Sequence, residues 1–293
     1  MRVAVYSRSL KEEDLPCIQE FFDLLFEMGT EVSVYRHFLE SVHQKITFRK
    51  EFGVVEGYQD FVSQSFDFVV TLGGDGTILS AITEVRDSKV PVVGINLGRL
   101  GFLASIDKLR IREALEGMQQ GMYAIEKRRM LYLESSHPLF GETPFALNDF
   151  TLLKRDTSSM ITIHTYINGA FLNSYWADGL IVATPTGSTG YSLSCGGPII
   201  FPNSGNFVIT PVAPHNLNVR PIVISDSSVI SFQVEGRGEN FLCTLDSRFE
   251  TISAVHQLAV RKCDFNLCLV RMPGTSFLGT LSEKLAWGLD SRN

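Results

Sequence analysis

The feature that most limits how this chain can fold is a change of hydrophobic period near residue 123. Before it, strand-like runs alternate with amphipathic helical stretches: Val3 to Tyr6, then Leu15, Ile18, Phe22 and Leu25 on one helical face with Gly29 as a stop, then residues 31–35, 66–72 and 90–96. Such alternation predicts a parallel sheet covered by helices on both faces, because parallel neighbours need a long crossover between them. After Tyr123 the helical period vanishes. Short runs of β-branched and aromatic residues take over at Tyr123 to Leu133, Met160 to Ile167, Phe171 to Trp176 and Val229 to Val234, predicting a β-rich half. Within it, Asn168-Gly169 is a pair that favours a tight hairpin, and Phe265, Leu267 and Leu269 alternate as a half-buried strand does. Beyond Pro273-Gly274, Phe277 or Leu278, Leu281 and Leu285 recur at helical spacing, so a terminal helix is expected to dock on a neighbour. The expected organisation is an α/β domain over 1–122, a sandwich-like all-β domain over 123–272 and a helical segment over 273–293.

Composition narrows the partners. The chain has 293 residues, and a hydrophobic share of 44% suffices for two buried cores. Basic residues number 26 against 32 acidic, a net charge of −6, so no global positive field exists to hold a nucleic-acid backbone or an anionic membrane. No apolar run approaches the ~18 residues of a membrane span, and the chain opens on a strand with no leader-like segment. Cytoplasmic residence is the expectation. The five cysteines include no CxxC pair and the six histidines no close ligand spacing, which fits free thiols and argues against a protein-built zinc site.

The sharpest motif is Gly73-Gly74-Asp75-Gly76-Thr77, set between an apolar strand ending at Leu72 and a helix whose face is Ile78, Ile82 and Val85. Glycines at a helix start let the backbone approach a ligand, and the free amides there favour phosphate oxygens. Gly73, Gly74, Gly76 and Thr77 are therefore candidates for a phosphate-binding turn, although the pattern is neither GxGxxG nor GxxxxGK[ST]. Asp75 is the unusual member. A carboxylate in a phosphate cradle repels its ligand unless it holds a metal, accepts a proton or bonds a hydroxyl, which points to phosphoryl transfer onto a hydroxyl. The competing reading is a plain tight turn with Asp75 capping the helix. Asn96-Leu97-Gly98-Arg99-Leu100-Gly101 ends the next strand, and the hydroxyl- and glycine-rich run from Asp178 to Pro198 offers the short donors and acceptors that a nucleoside requires, or else forms a long surface loop. Asn148-Asp149 adds an amide beside a carboxylate.

Taken in order, these four segments resemble the NAD kinase family, as do Arg261 to Phe265 and Thr280 to Leu285 near the end of the chain. The first motif is shared with lipid kinases; the Asp178 to Pro198 run resembles NAD kinases in particular. The resemblance implies an ATP-dependent NAD kinase that phosphorylates the 2′-hydroxyl of the adenosine ribose, with magnesium or another divalent metal. The α/β domain would carry the phosphate donor and the catalytic turn, the β-rich domain would bind NAD, and the site would lie in the cleft between them. Asp75 would be catalytic and touch the ribose with Gly76. Asn148 and Asp149 would hold the ribose and adenine, Thr189, Gly190, Tyr191, Ser192 and Ser194 would surround the adenine, and Asp178 would bind the nicotinamide carboxamide. Arg248 stands at a position of polar contact with the dinucleotide. Residues that would hold a metal are not indicated. The expected assembly is a homo-oligomer, a dimer or tetramer, motivated also by Phe171, Tyr175, Trp176, Phe201 and Phe207 if several of them face outward.

Overall fold

A computed structural model describes residues 1–8, 11–98, 101–155, 159–238 and 240–286. The chain forms two units: residues 1–127 together with the segment from Leu267 onward, and residues 128–266. In the first, strands β1 (Arg2–Tyr6), β2 (Glu31–Tyr35), β3 (Gly53–Val55), β4 (Phe68–Leu72) and β5 (Val92–Asn96) pair in parallel, and β6 (Ile106–Asp107) extends β5. Helices α1 (Leu15–Glu27), α2 (Arg36–Val42), α3 (Tyr58–Ser63), α4 (Asp75–Val85) and α5 (Ile111–Gln119) connect and flank them. Every residue of β4 and β5 is buried, as expected of central parallel strands covered on both faces. The α1 face read from the sequence holds at Ile18, Phe22 and Leu25, joined by Phe21, Leu24 and Phe26.

The second unit is an antiparallel sandwich. One sheet has the order β15-β14-β13-β10-β17-β18 and the other β12-β11-β16-β19-β8-β9. The strands are β8 (Leu131–Ser135), β9 (Phe145–Ala146), β10 (Asp149–Lys154), β11 (Ile161–Ile167), β12 (Ala170–Ala177), β13 (Gly179–Ala183), β14 (Asn206–Val212), β15 (Ile222–Ser225), β16 (Ile230–Glu235), β17 (Phe241–Leu245), β18 (Arg248–Ile252) and β19 (Leu258–Lys262). Phe150 and Phe232 stack at 5.3 Å in a core that also holds Tyr175, Phe207 and Phe241. Asn168-Gly169 turns β11 into β12 with both residues at positive φ, 51° and 81°, the conformation that this pair was expected to supply.

Two stretches divide between the sheets differently from the expectation. The run from Tyr123 to Leu133 is not one β-rich entry but two strands: β7 (Ala124–Arg128) belongs to the first sheet and β8 to the sandwich. The alternating strand near 267 is present as β20 (Leu267–Arg271), yet it inserts between β5 and β7 in the first unit instead of closing the β-rich domain at 272. Period-two alternation marks a strand and is silent about which sheet it joins. Helix α7 (Phe277–Lys284) follows, capped by the Ser276 hydroxyl on the Gly279 N–H, with Leu281 buried and the Phe277 ring 6.2 Å from that of Phe102. The docking expected of this helix is thus met within the first unit.

Candidate active site

Because β4 and β5 are parallel neighbours, their carboxyl ends bring the turns after Leu72 and Asn96 side by side, and the Gly73 N–H donates to the Ile95 carbonyl at 2.9 Å. Ligands in open α/β sheets bind at this edge. Gly73 has φ +147°, and a Cβ there would lie 2.2 Å from the Thr77 hydroxyl oxygen, so the turn accepts no side chain at this position. Gly74 and Gly76 are exposed with open space around them, and Thr77 is buried. Asp75 is the first residue of α4, where the helix dipole and the amides of the first turn favour negative charge.

The Asp75 carboxylate does not cap its own helix. It reaches across to the next turn, where Oδ2 accepts the Phe102 N–H at 2.8 Å and Oδ1 accepts those of Leu103 and Ala104 at 3.0 Å each. Gly101 packs so closely that a Cβ would sit 1.8 Å from Oδ1. An ionised carboxylate offers about four lone-pair sites. Three are engaged, and the one on Oδ2 that remains has no partner from these amides. Asn96, 2% exposed, uses its side-chain oxygen for the Gly98 N–H at 2.9 Å and leaves its amide nitrogen without a hydrogen-bond partner. Arg99 and Leu100 lie outside the described residues.

In the sandwich, β10 and β13 are paired so that Asp149 faces Ala183, which sets Asn148-Asp149 beside the turn that starts at Thr184. The Thr184 hydroxyl donates to the Leu147 carbonyl at 2.6 Å and the Thr184 N–H to that of Asn148 at 2.9 Å. Asp246, at φ 54° in the β17–β18 turn, accepts the N–H groups of Leu147, Asn148 and Asp149 at 2.9, 2.7 and 3.2 Å. Asp149 is buried. Loss of hydration, then the neighbouring Asp246, pushes its carboxyl up to about 7, against a smaller opposing pull from the Thr151 hydroxyl. Burial also raises Asp246, opposed by those three N–H groups and by Arg248.

Much of the hydroxyl-rich run is spent on its own shape. Ser188 donates to Pro185 and accepts from Ile200, Thr189 donates to Thr186, and Ser192 shares a hydrogen bond with Thr210 at 2.8 Å. Gly190, Tyr191 and Ser194, the last two in the short helix α6 (Tyr191–Ser194), are exposed. Asp178 lies at the opposite end of β13 from Asp149 and pairs with Lys154 at 2.6 Å. The Tyr191 phenol is raised by burial first, then by Cys195, and also by the charges of Asp178 and Asp149. Arg248 is not presented outward. It donates to Thr143 and Phe145 and lies 5.6 Å over the Phe140 ring, so it braces the loop before Asn148. Sequence reading missed Asp246, a hairpin residue whose reach to the 147–149 amides no local pattern reveals, and the Phe102–Ala104 amides, which act through backbone alone.

A carboxylate fixed beside a glycine turn at a helix start, carried by an α/β unit in a chain that also has an antiparallel sandwich, defines a class of two-domain kinases. The fold matches that of yeast NADH kinase complexed with NADH, with a TM-score of 0.88, 24% identity and coverage of 100% of this chain and 89% of that one. It also matches an NAD kinase from Archaeoglobus fulgidus in complex with ATP, with a TM-score of 0.74, 24% identity and coverage of 98% and 99%. Residues 3–123 match the ATP-NAD kinase N-terminal domain and residues 147–272 the C-terminal domain. The NAD kinases of Cytophaga hutchinsonii and Flavobacterium johnsoniae are 46% and 43% identical over the full length of both chains. The chain belongs to the NAD kinase family.

Proposed function

We propose that this chain transfers the γ-phosphoryl group of ATP to the 2′-hydroxyl of the adenosine ribose of NAD, forming NADP and ADP, with Asp75 receiving the hydroxyl proton. The observation that carries the assignment is the carboxylate held by three amides with one lone pair of Oδ2 left over. A group so fixed cannot swing away from the phosphate charge, and its spare lone pair can accept the ribose hydroxyl. As the hydroxyl oxygen attacks phosphorus, its proton passes to Oδ2 and the bond to the ADP leaving oxygen breaks. The amides at the start of α4 and the exposed Gly74 and Gly76 are assigned to phosphate oxygens, where charge accumulates in the transition state.

Asn148, Asp149, Thr189, Gly190, Tyr191, Ser192 and Ser194 are assigned to the NAD nucleoside, and Asp178 to the carboxamide. The exposure of Gly190, Tyr191 and Ser194 supports their role, while Ser192 is fully buried with its hydroxyl on Thr210. Arg248 acts indirectly by holding the loop before Asn148. Among the described residues no group of three or more His, Cys, Asp or Glu side chains is placed to hold a metal. Magnesium bound to nucleotide keeps several waters and needs few protein ligands, so it enters with ATP as the MgATP substrate. Three outward aromatic side chains, Phe171, Trp176 and Phe201, each more than half exposed, support a homo-oligomer, two of them on the edge strand β12. Tyr175 and Phe207 belong to the core instead. No described helix is long and apolar enough to cross a membrane; cytoplasmic residence stays part of the proposal.

The test is an NADP-forming assay with NAD and MgATP. Asp75→Asn is nearly isosteric but cannot take the proton, and with its oxygen left on the Leu103 and Ala104 amides its NH2 group faces the Phe102 N–H; kcat is expected to fall by at least ~10²–10³-fold, the lower half of the usual general-base range because the transition state is loose. A kcat within about twofold of the parent, under ~0.5 kcal/mol of barrier, removes Asp75 from the chemistry.

A further inference from the structure

One charged side chain reaches the catalytic turn from outside any motif. Arg271, the last residue of β20, directs Nη2 to the Phe102 carbonyl oxygen at 3.0 Å and Nε to Glu126 on β7 at 3.1 Å. Its side chain is 10% exposed and that of Glu126 34%. The Phe102 carbonyl and the Leu103 N–H are the two ends of a single peptide group, and that N–H donates to Asp75 Oδ1 at 3.0 Å. Because the peptide group is rigid and planar, fixing its oxygen fixes its N–H. A cationic donor on the oxygen also draws density from the nitrogen and makes the N–H a stronger donor, since hydrogen bonds in series polarise one another.

We propose that Arg271 is a positioning residue for phosphoryl transfer, orienting and polarising the Phe102–Leu103 peptide that holds Asp75. The proposal rests on the assignment of Asp75 as the proton acceptor. Strand cohesion alone gives little reason for the pair, because apolar side chains of similar size join two strands at least as well as a largely buried ion pair that must give up its hydration. The polar reach to Phe102 does explain it. The same residue is gripped on its other side, where the Phe102 ring meets Phe277, so the turn is braced from both β20 and α7.

The test is a cycle of Arg271→Met and Asp75→Asn in the full chain. Arg271→Met alone is expected to lower kcat about tenfold, the low end for losing a charge-assisted hydrogen bond, with the KM values for NAD and MgATP within about twofold. Arg271→Lys, which can still reach the carbonyl, is expected to restore most of the rate. In an Asp75→Asn background Arg271→Met is expected to change kcat no further. The amide proton of Leu103, followed by NMR, is expected to move upfield in Arg271→Met as its donor strength falls. An equal kcat loss in both backgrounds, or an unmoved Leu103 proton, overturns the proposal. If Asp75→Asn itself leaves kcat intact, the proton-acceptor assignment falls, while the Leu103 shift still decides the coupling of Arg271 to the turn. Should Arg271→Met fail to fold, Glu126→Gln loosens the same guanidinium and is expected to give a smaller kcat loss and shift of the same sign; neither effect in that variant counts against the proposal.

Discussion

Two aspartates in this chain are each held by three backbone N–H groups, and they are used differently. Asp75 keeps a lone pair of Oδ2 beyond its three amides, which the proposal assigns to the ribose hydroxyl, whereas Asp246 spends its carboxylate on the shape of the 147–149 turn. Asp149, beside that second carboxylate, carries the cost. Its carboxyl is raised from an ordinary 3.8 to about 7, by burial foremost, so between about pH 4 and 7 the folded chain binds a proton that the unfolded chain has released. Stability from this residue therefore falls as pH rises through that window and levels off above it. Asp149→Asn is expected to raise the unfolding temperature at pH 8 and to leave it nearly unchanged at pH 5, where the parent side chain is neutral as well. A stabilisation of equal size at both pH values would show that the carboxylate is not the source of the cost.

At the scale of elements, strand β20 joins the stretch that follows the sandwich to the sheet that carries the Gly73–Thr77 turn. Leu269 is fully buried in it and registers with Val92 of β5. Leu269→Ala is expected to cost ~2–5 kcal/mol in denaturant unfolding, seen as a lower midpoint with an unchanged slope; a cost under ~1 kcal/mol would mean that the strand contributes little to this sheet. Helices α1, α4 and α7, the hairpin at Asn168-Gly169 and the turn after Leu72 were legible in the sequence because local period and turn chemistry specify them. The destination of β20 was not, since its neighbours β5 and β7 lie about 175 and 145 residues away in the chain. The same limit hid Arg271 and Asp246, whose contacts with the 102–104 and 147–149 segments are to backbone atoms with no side-chain signature. It also made the hydroxyl-rich run look more available than it is: Ser188 and Thr184 serve the fold.

For the whole molecule, the proposed homo-oligomer, motivated by the exposed aromatics of β12, carries the expectation that Asp178 and Tyr191 of one subunit serve the NAD of another. Mixed oligomers of Asp75→Asn and Asp178→Ala chains, each poorly active alone, are then expected to regain part of the NADP-forming activity. Confirmed mixed species with no recovery would dismiss shared sites, and full activity in a sedimenting monomer would dismiss the oligomer. The first unit is also built from two separate stretches of chain, with the whole second unit threaded between them. During synthesis a ribosome releases residues 128–266 as one continuous piece before it releases the strand that fills the gap between β5 and β7. The sandwich can mature while the first sheet still lacks an interior strand, and a nascent chain acquires Arg271, and with it a braced turn, only after the whole sandwich has been made.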